Sequence, residues 1–186
     1  MIKILVPAII VAIALIFLAL FAFPQQEEEY HTHADFKVYL EGEQFNFSQE
    51  KFFDEALVSA FVHVHDMDGD VIHQHVPGIT LGYFFNSLGM EFNSTCFVTD
   101  EGQQFCNSGS KTLKMYVNLQ SNQEMGDYEF SDLDKILITF GNEIQDQIQE
   151  QMESVTEKSC IQSGKCPEKG PPANESGCTT LGGCVE

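Results

Sequence analysis

The sequence predicts an α+β fold: a β-rich single domain of antiparallel hairpins with one short and one longer helix, preceded by an N-terminal transmembrane helix. Three observations predict it. Ile4 to Phe23 is a run of 20 residues without a charge, and about 20 such residues cross a bilayer core as a helix. Beyond it, apolar and polar residues alternate on either side of acid–Gly turns, the period of half-buried strands. Two stretches, Thr80–Gly89 and Asn142–Val155, switch to a helical period. The organisation that follows is an anchor over residues 1–23, an acidic tether over 24–30, a β-rich domain over 31–158 and a Cys/Gly/Pro-rich tail over 159–186.

In the anchor, Pro7 lies near one end, where disruption of a helix matters least. Lys3 precedes the run and Glu27, Glu28 and Glu29 follow it. The positive-inside rule then places the N-terminus in the cytoplasm and the C-terminal domain outside the cell or in a periplasm-like space. A cleaved signal peptide is the alternative. Its apolar region is usually shorter, roughly 7–15 residues, and ends at a small-x-small site, which "LALFAFPQQ" matches poorly.

The domain begins with "DFKVYLEGEQFNF", two strands around a Glu41-Gly42 turn. Phe61 to His75 is a hairpin. "TLGYFFNSLG" is a short helix capped by Thr80, with Leu81, Phe84, Phe85 and Leu88 on one face and Gly89 at its end. "CFVTDEGQQFC" is a second hairpin, and "KTLKMYVNL" and "KILITFG" are further strands. A longer helix starts at Asn142 with Gln145 at the capping-box position, and Ile144, Ile148, Met152 and Val155 form its stripe. The tail has no periodicity and is an irregular segment stapled by cysteines.

The chain has 186 residues and a net charge of −19. That balance excludes nucleic acid as a partner, because phosphates need Lys and Arg. It suits a soluble acidic surface or one that attracts cations. The six cysteines form three close pairs, the usage of an exported, disulfide-bonded chain. A three-residue loop Asp100-Glu101-Gly102 places Cys96 opposite Cys106, within disulfide reach. Proximity pairs Cys160 with Cys166 and Cys178 with Cys184, with a four-thiolate metal site as the rival in the tail. Asn46, Asn93 and Asn174 begin Asn-x-Ser/Thr triplets, a pattern common by chance. The chain has no Cys-x-x-Cys, which argues against thiol-redox chemistry.

All six histidines fall in His-x-His pairs: His31/His33, His63/His65 and His73/His75. Residues two apart on a strand share a face, with Cα atoms about 6.6 Å apart. Two imidazoles so placed can share a metal at roughly 2.0–2.1 Å from each nitrogen. The hairpin turn decides whether the pairs meet. A two-residue Asp68-Gly69 turn puts them on opposite faces. A three-residue Met67-Asp68-Gly69 loop, with Gly69 left-handed, sets His63 against His73 and gathers all four on one face. The second register is the one expected. The predicted ligands are therefore His63, His65, His73 and His75, with His31, His33 and the in-phase Asp35 extending the site or forming a second. Imidazole suits zinc and copper best, with nickel possible. Asp66, Asp68 and Asp70 do not make a calcium loop, because Gly69 and Pro77 occupy the wrong positions. Polar strands without metal are the other reading.

The run "HTHADFKVYLEG", the hairpin "HVHDMDGDVIHQH", "GITLGYFFNSLGM", "STCFV" and "CPEKGPP" together resemble an uncharacterised family of small membrane-anchored, His-x-His-rich extracytoplasmic proteins from archaea and little-studied bacteria. The likeness covers nearly the whole chain after the anchor, and that family has no established activity to carry over. His-x-His on a strand beside another histidine is similar to the zinc site of alpha-class carbonic anhydrases. "FVHVHDMDGD" is similar to the copper-ligand strand of copper-zinc superoxide dismutases. "HVHDMDGD" with the following "PG" is similar to the first cupin motif, with Asp70 where that motif has glutamate. None of the three extends further along the chain.

The function expected is capture, buffering or delivery of a transition metal at the cell surface by a protein held to the membrane through its N-terminal helix. A metal-dependent enzyme needs three histidines, an acid such as Asp35 behind them and an open coordination position; no nucleophile–base motif of Ser or Cys type is visible. A structural surface protein without metal is the third class. The protein partner is not specified by any motif.

Overall fold

The computed structural model describes residues 30–53, 59–65, 67–172, 178–179 and 183–184, with the side chain of His65 and those beyond Pro172 outside the description. The expected anchor and most of the tether lie outside the described residues. Among those described, no helix is long and apolar enough to cross a membrane.

Among the described residues, the domain is a strand-rich α+β fold with two helices and one further single helical turn. Its centre is β1 (Thr32–Leu40), and the whole strand is buried or half-buried. One side of β1 presents Ala34, Phe36, Val38 and Leu40 to the main core; the other presents His33, Asp35, Lys37 and Tyr39. Glu41 and Gly42 follow with φ of 55° and 86°, the two left-handed residues of a tight hairpin turn, and β2 (Glu43–Gln44) folds back onto β1. The hairpin of β3 (Val62–His65) and β4 (Asp68–Gln74) pairs with the other edge of β1, through β4. Beyond β1 come β10 (Lys135–Gly141), β8 (Thr112–Val117) and β9 (Gln120–Asn122), so the sheet order is β3-β4-β1-β10-β8-β9.

The hairpins are antiparallel as expected, and one pairing of strands distant in sequence is parallel. β1 and β10 run parallel, from Asp35↔Lys135 to Leu40↔Phe140. Two adjacent parallel strands need a long crossover, and here it holds the β3–β4 hairpin, the short helix and a second small sheet. That sheet consists of β5 (Glu91–Phe92), β6 (Cys96–Val98) and β7 (Gln104–Cys106). The short helix α1 (Leu81–Ser87) is capped by the Thr80 hydroxyl, which accepts from Tyr83 N–H at 3.2 Å. Gly89 closes it at φ 75°. Phe84 and Phe85 project from α1 into Phe36, Phe47, Phe92 and Phe97, an aromatic cluster with centroids 4.9 to 6.3 Å apart. This cluster is the principal core, and it lies on the Phe36 side of the main sheet.

Helix α2 (Gln145–Ser154) and the segment after it cover the opposite side. Ile148, Met152 and Val155 pack on Leu137, while Ile144 stays 64 % exposed. The start expected at Asn142 is displaced. The helix begins two to three residues later because the Gln147 side chain accepts from Ile144 N–H at 3.0 Å, and Glu143 instead pairs with Lys114. A single helical turn, α3 (Ser159–Gln162), then brings the chain back beside β1. Disulfides join Cys96 to Cys106 and Cys160 to Cys166. Cys178 and Cys184 are opposed in backbone register, in β11 (Cys178–Thr179) and β12 (Gly183–Cys184).

Candidate metal centre

Strand register assembles the histidines. His33 of β1 opposes His73 of β4, and His73 opposes His63 of β3. Three imidazoles from three strands therefore share one rung. The next rung brings His31 beside His75. Ring centroids are 4.7 Å apart for His33–His73 and for His31–His75, 4.9 Å for His63–His75, and 6.2 Å for His63–His73 and His31–His33. Five of the six histidines thus form one connected cluster. His33, His63, His73 and His75 are each at most 4 % exposed.

The expected turn is not the one that produces this register. Gly69 is not left-handed; Met67 is, at φ 57°. His65 pairs with Asp68, and the register shifts between that pair and His63↔His73. Face parity therefore does not carry from His63 to His65, whose side chain lies outside the described residues. Gly69 serves a different need. A Cβ there would meet the Phe47 carbonyl carbon at 2.3 Å and Ser48 N at 2.4 Å, and its own N–H donates to the Ser48 hydroxyl at 3.0 Å.

Asp35, expected to extend the ligand set, is committed elsewhere. Its Oδ1 accepts from the Thr156 hydroxyl at 2.5 Å and from Lys158 N–H at 2.8 Å. Its Oδ2 accepts from Ser159 N–H at 3.1 Å and from the Ser159 hydroxyl at 2.5 Å. A fully buried carboxylate with four donors is satisfied in place, and here it fastens the chain over the histidine side of the sheet.

Two histidines are held by partners that set their tautomer. His63 Nδ1 lies 2.9 Å from the Ser59 carbonyl oxygen; a carbonyl only accepts, so Nδ1 carries the proton. His33 Nδ1 lies 2.8 Å from Ser163 Oγ, and that hydroxyl donates to Asp132 Oδ1 at 2.5 Å. Asp132 also accepts from His33 N–H at 3.0 Å and from the Lys165 ammonium. Burial alone would raise the Asp132 carboxyl, but the bonds from Lys165, Ser163 and His33 N–H outweigh it and hold it below the usual carboxylate range. A second ionic clasp reaches the hairpin. Lys158 Nζ donates to Asp68 and Asp70 at 2.9 Å each, and Lys37 donates to Asp70 at 2.9 Å. Burial raises Asp70, yet the two lysines bring it below its ordinary value.

The spacing suits shared ligation. Two imidazoles on one tetrahedral ion, with nitrogen–metal bonds of about 2.0–2.1 Å, have centroids roughly 5 Å apart. The ring planes are those of packed rings, edge-on at 82° for His33–His73, 90° for His31–His75 and 80° for His31–His33, and stacked at 9° and 26° about His63. Among the described residues, no three His, Cys, Asp or Glu side chains already converge on a single point. No family model, characterised protein or solved structure matches the chain.

Ser59, Asp132 and Ser163 carry no local signal in the sequence. Asp132 sits in a Ser-Asp-Leu-Asp turn and Ser163 in a Cys-bounded loop, 99 and 130 residues from His33.

Proposed function

We propose that this chain binds a transition metal ion, zinc or copper before nickel, through His33, His63 and His73, with His31 and His75 extending the site. The protein is exported and membrane-tethered on this reading, and captures, buffers or delivers the ion at the cell surface. The observation that carries it is the rung of three buried imidazoles in which both outer members are held through Nδ1. Metal-bound histidines almost always give their other ring N–H to a carbonyl, carboxylate or water, which fixes tautomer and orientation. The two disulfides and paired cysteines support an oxidising compartment; the apolar run before Pro24 and its flanking charges support the tether.

Among the described residues, two clefts lie away from the histidine rung. One of about 450 Å³ is lined by Lys51, Asn86 and Asp100, and another of about 370 Å³ by Ser94, Asn107 and Gln123. Neither includes a histidine. The test is titration of Zn(II) and Cu(II) into the purified full chain, with stoichiometry from metal analysis. At least one ion per chain is expected. Replacing His63 and His73 together by Gln weakens binding more than 100-fold, as loss of two ligands exceeds the roughly 10–100-fold cost of losing an outer-shell partner. An unmodified chain that binds neither ion rejects the reading in favour of a metal-free surface protein, and a double variant that binds as tightly rejects the histidine rung as the site.

A further inference from the structure

We propose that Ser163 and Asp132 are positioning residues for the histidine site. They hold His33 as the Nδ1–H tautomer, so that Nε2 is its donor nitrogen. The inference rests on the metal-binding reading for its purpose and on hydrogen-bond direction for its content.

The direction is forced from one end. Asp132 receives the His33 N–H, the Ser163 hydroxyl and the Lys165 ammonium. A carboxylate amid three donors is an acceptor. The single Ser163 proton is given to Asp132 at 2.5 Å. The Ser163 oxygen can then only accept from His33 Nδ1 at 2.8 Å, which places the imidazole proton on Nδ1. On the far side of His73, His63 reaches the same tautomer against the Ser59 carbonyl. The two outer imidazoles of one rung therefore offer the same nitrogen, though one is set by the tail and the other by its own strand's approach.

The tail is built to keep Ser163 in place. Ser163 lies inside the loop closed by Cys160–Cys166, and its N–H donates to Ser159 O at 2.9 Å. Ser159 is in turn fastened to Asp35. Sheet, helical turn and disulfide thus converge on one hydroxyl, 130 residues from the ring it orients.

Long-range ¹H–¹⁵N correlation on the metal-free full chain in detergent, above the range where imidazoles protonate, reads the tautomer of His33 directly. The expected result is Nδ1–H in the unmodified chain and in Ser163→Thr, and a change toward Nε2–H in Ser163→Ala. Zinc affinity should fall about 10–100-fold in Ser163→Ala and in Asp132→Asn, and recover in Ser163→Thr. Thermal unfolding of each variant separates loosening of the fold from loss of orientation. Nε2–H at His33 in the unmodified chain overturns the proposal, as does a Ser163→Ala variant with unchanged tautomer or unchanged zinc affinity. A chain that binds no zinc rejects the metal reading alone, and the tautomer comparison still decides the assignment.

Discussion

Two of the acid–Gly hairpins, β3–β4 and β6–β7, share an expected three-residue loop ending in glycine, and only the second folds by the rule that this chemistry suggests. At β6–β7 the loop is Asp100-Glu101-Gly102. Thr99 N–H donates to Gln103 O at 3.0 Å and Gly102 N–H donates to Thr99 O at 2.8 Å. Gly102 is left-handed at φ 82°, and Cys96 falls opposite Cys106. At β3–β4 the glycine is extended, the left-handed residue is Met67, and a register shift follows. At the second hairpin nothing lies within 4 Å of a Cβ at Gly102, so local preference decides its turn. The first is packed between β1, the Phe47–Ser48 backbone and Lys158, and tertiary contact overrides the local preference. One glycine is there for its φ, the other because a backbone passes where a Cβ would be.

That contrast predicts an order of effects. Gly69→Ala should be the most damaging single change, costing about 3 kcal/mol or more, because the colliding atoms are backbone and cannot turn aside. Urea unfolding measures it; a loss below that of Gly102→Ala would refute the close-approach role. Removing the Cys96–Cys106 bridge as a pair of serines should cost about 2.5–3 kcal/mol in the chain-entropy model, and should leave the β3–β4 register intact by NMR. Gly102→Ala meets open space and left-handed strain only, about 1–2 kcal/mol, and Gly102→Asn should cost less. Smallest is the clasp that ties the first hairpin to the tail. Lys158 is 40 % exposed, so Lys158→Met should cost about 0.5–1 kcal/mol after solvent screening. Its signature is in pH. Asp70 and Asp132 are held below their ordinary 3.8, so their stabilisation is present above that value and is lost as pH falls through the lower folded value. Melting temperature should drop between pH 5 and pH 2, and Lys158→Met should flatten part of that drop. An identical profile in the variant would show that the clasp contributes nothing.

Much of the fold was legible. Thr80, Phe84, Phe85 and Gly89 announce α1 because a cap, a stripe and a left-handed stop act within ten residues. The alternation around Glu41-Gly42 and the Cys96–Cys106 rung are equally local. The pairing of His63 with His73 agrees with the expectation but comes through a different turn: Met67 is left-handed in place of Gly69, and the register shifts beyond His63, beside the Phe47–Ser48 backbone, which no spacing in the hairpin encodes. The parallel β1–β10 pairing joins residues 100 apart, from Asp35↔Lys135 onward, and has no sequence signature. For the same reason Asp35 was grouped with the histidines. It does share their side of β1, but Thr156 and Ser159 approach it from the end of the domain.

The position of β1 between β4 and β10 also sets a schedule. The His33–His73–His63 rung needs only the first 75 residues, whereas its cover needs Asp132 and Ser163. Lengthening the closing loop from about 40 to about 130 residues costs only about 1 kcal/mol more, so the distinction is one of time. At roughly 5–20 residues per second, the chain from His73 to Ser163 takes about 5–18 s to synthesise. If the chain is exported N-terminus first, as proposed, its imidazoles are presented during that interval and covered afterward. On the metal-binding reading, an ion held by the rung lies beside residues 156–166, which reach the sheet through Asp35 and His33 only once the chain is complete.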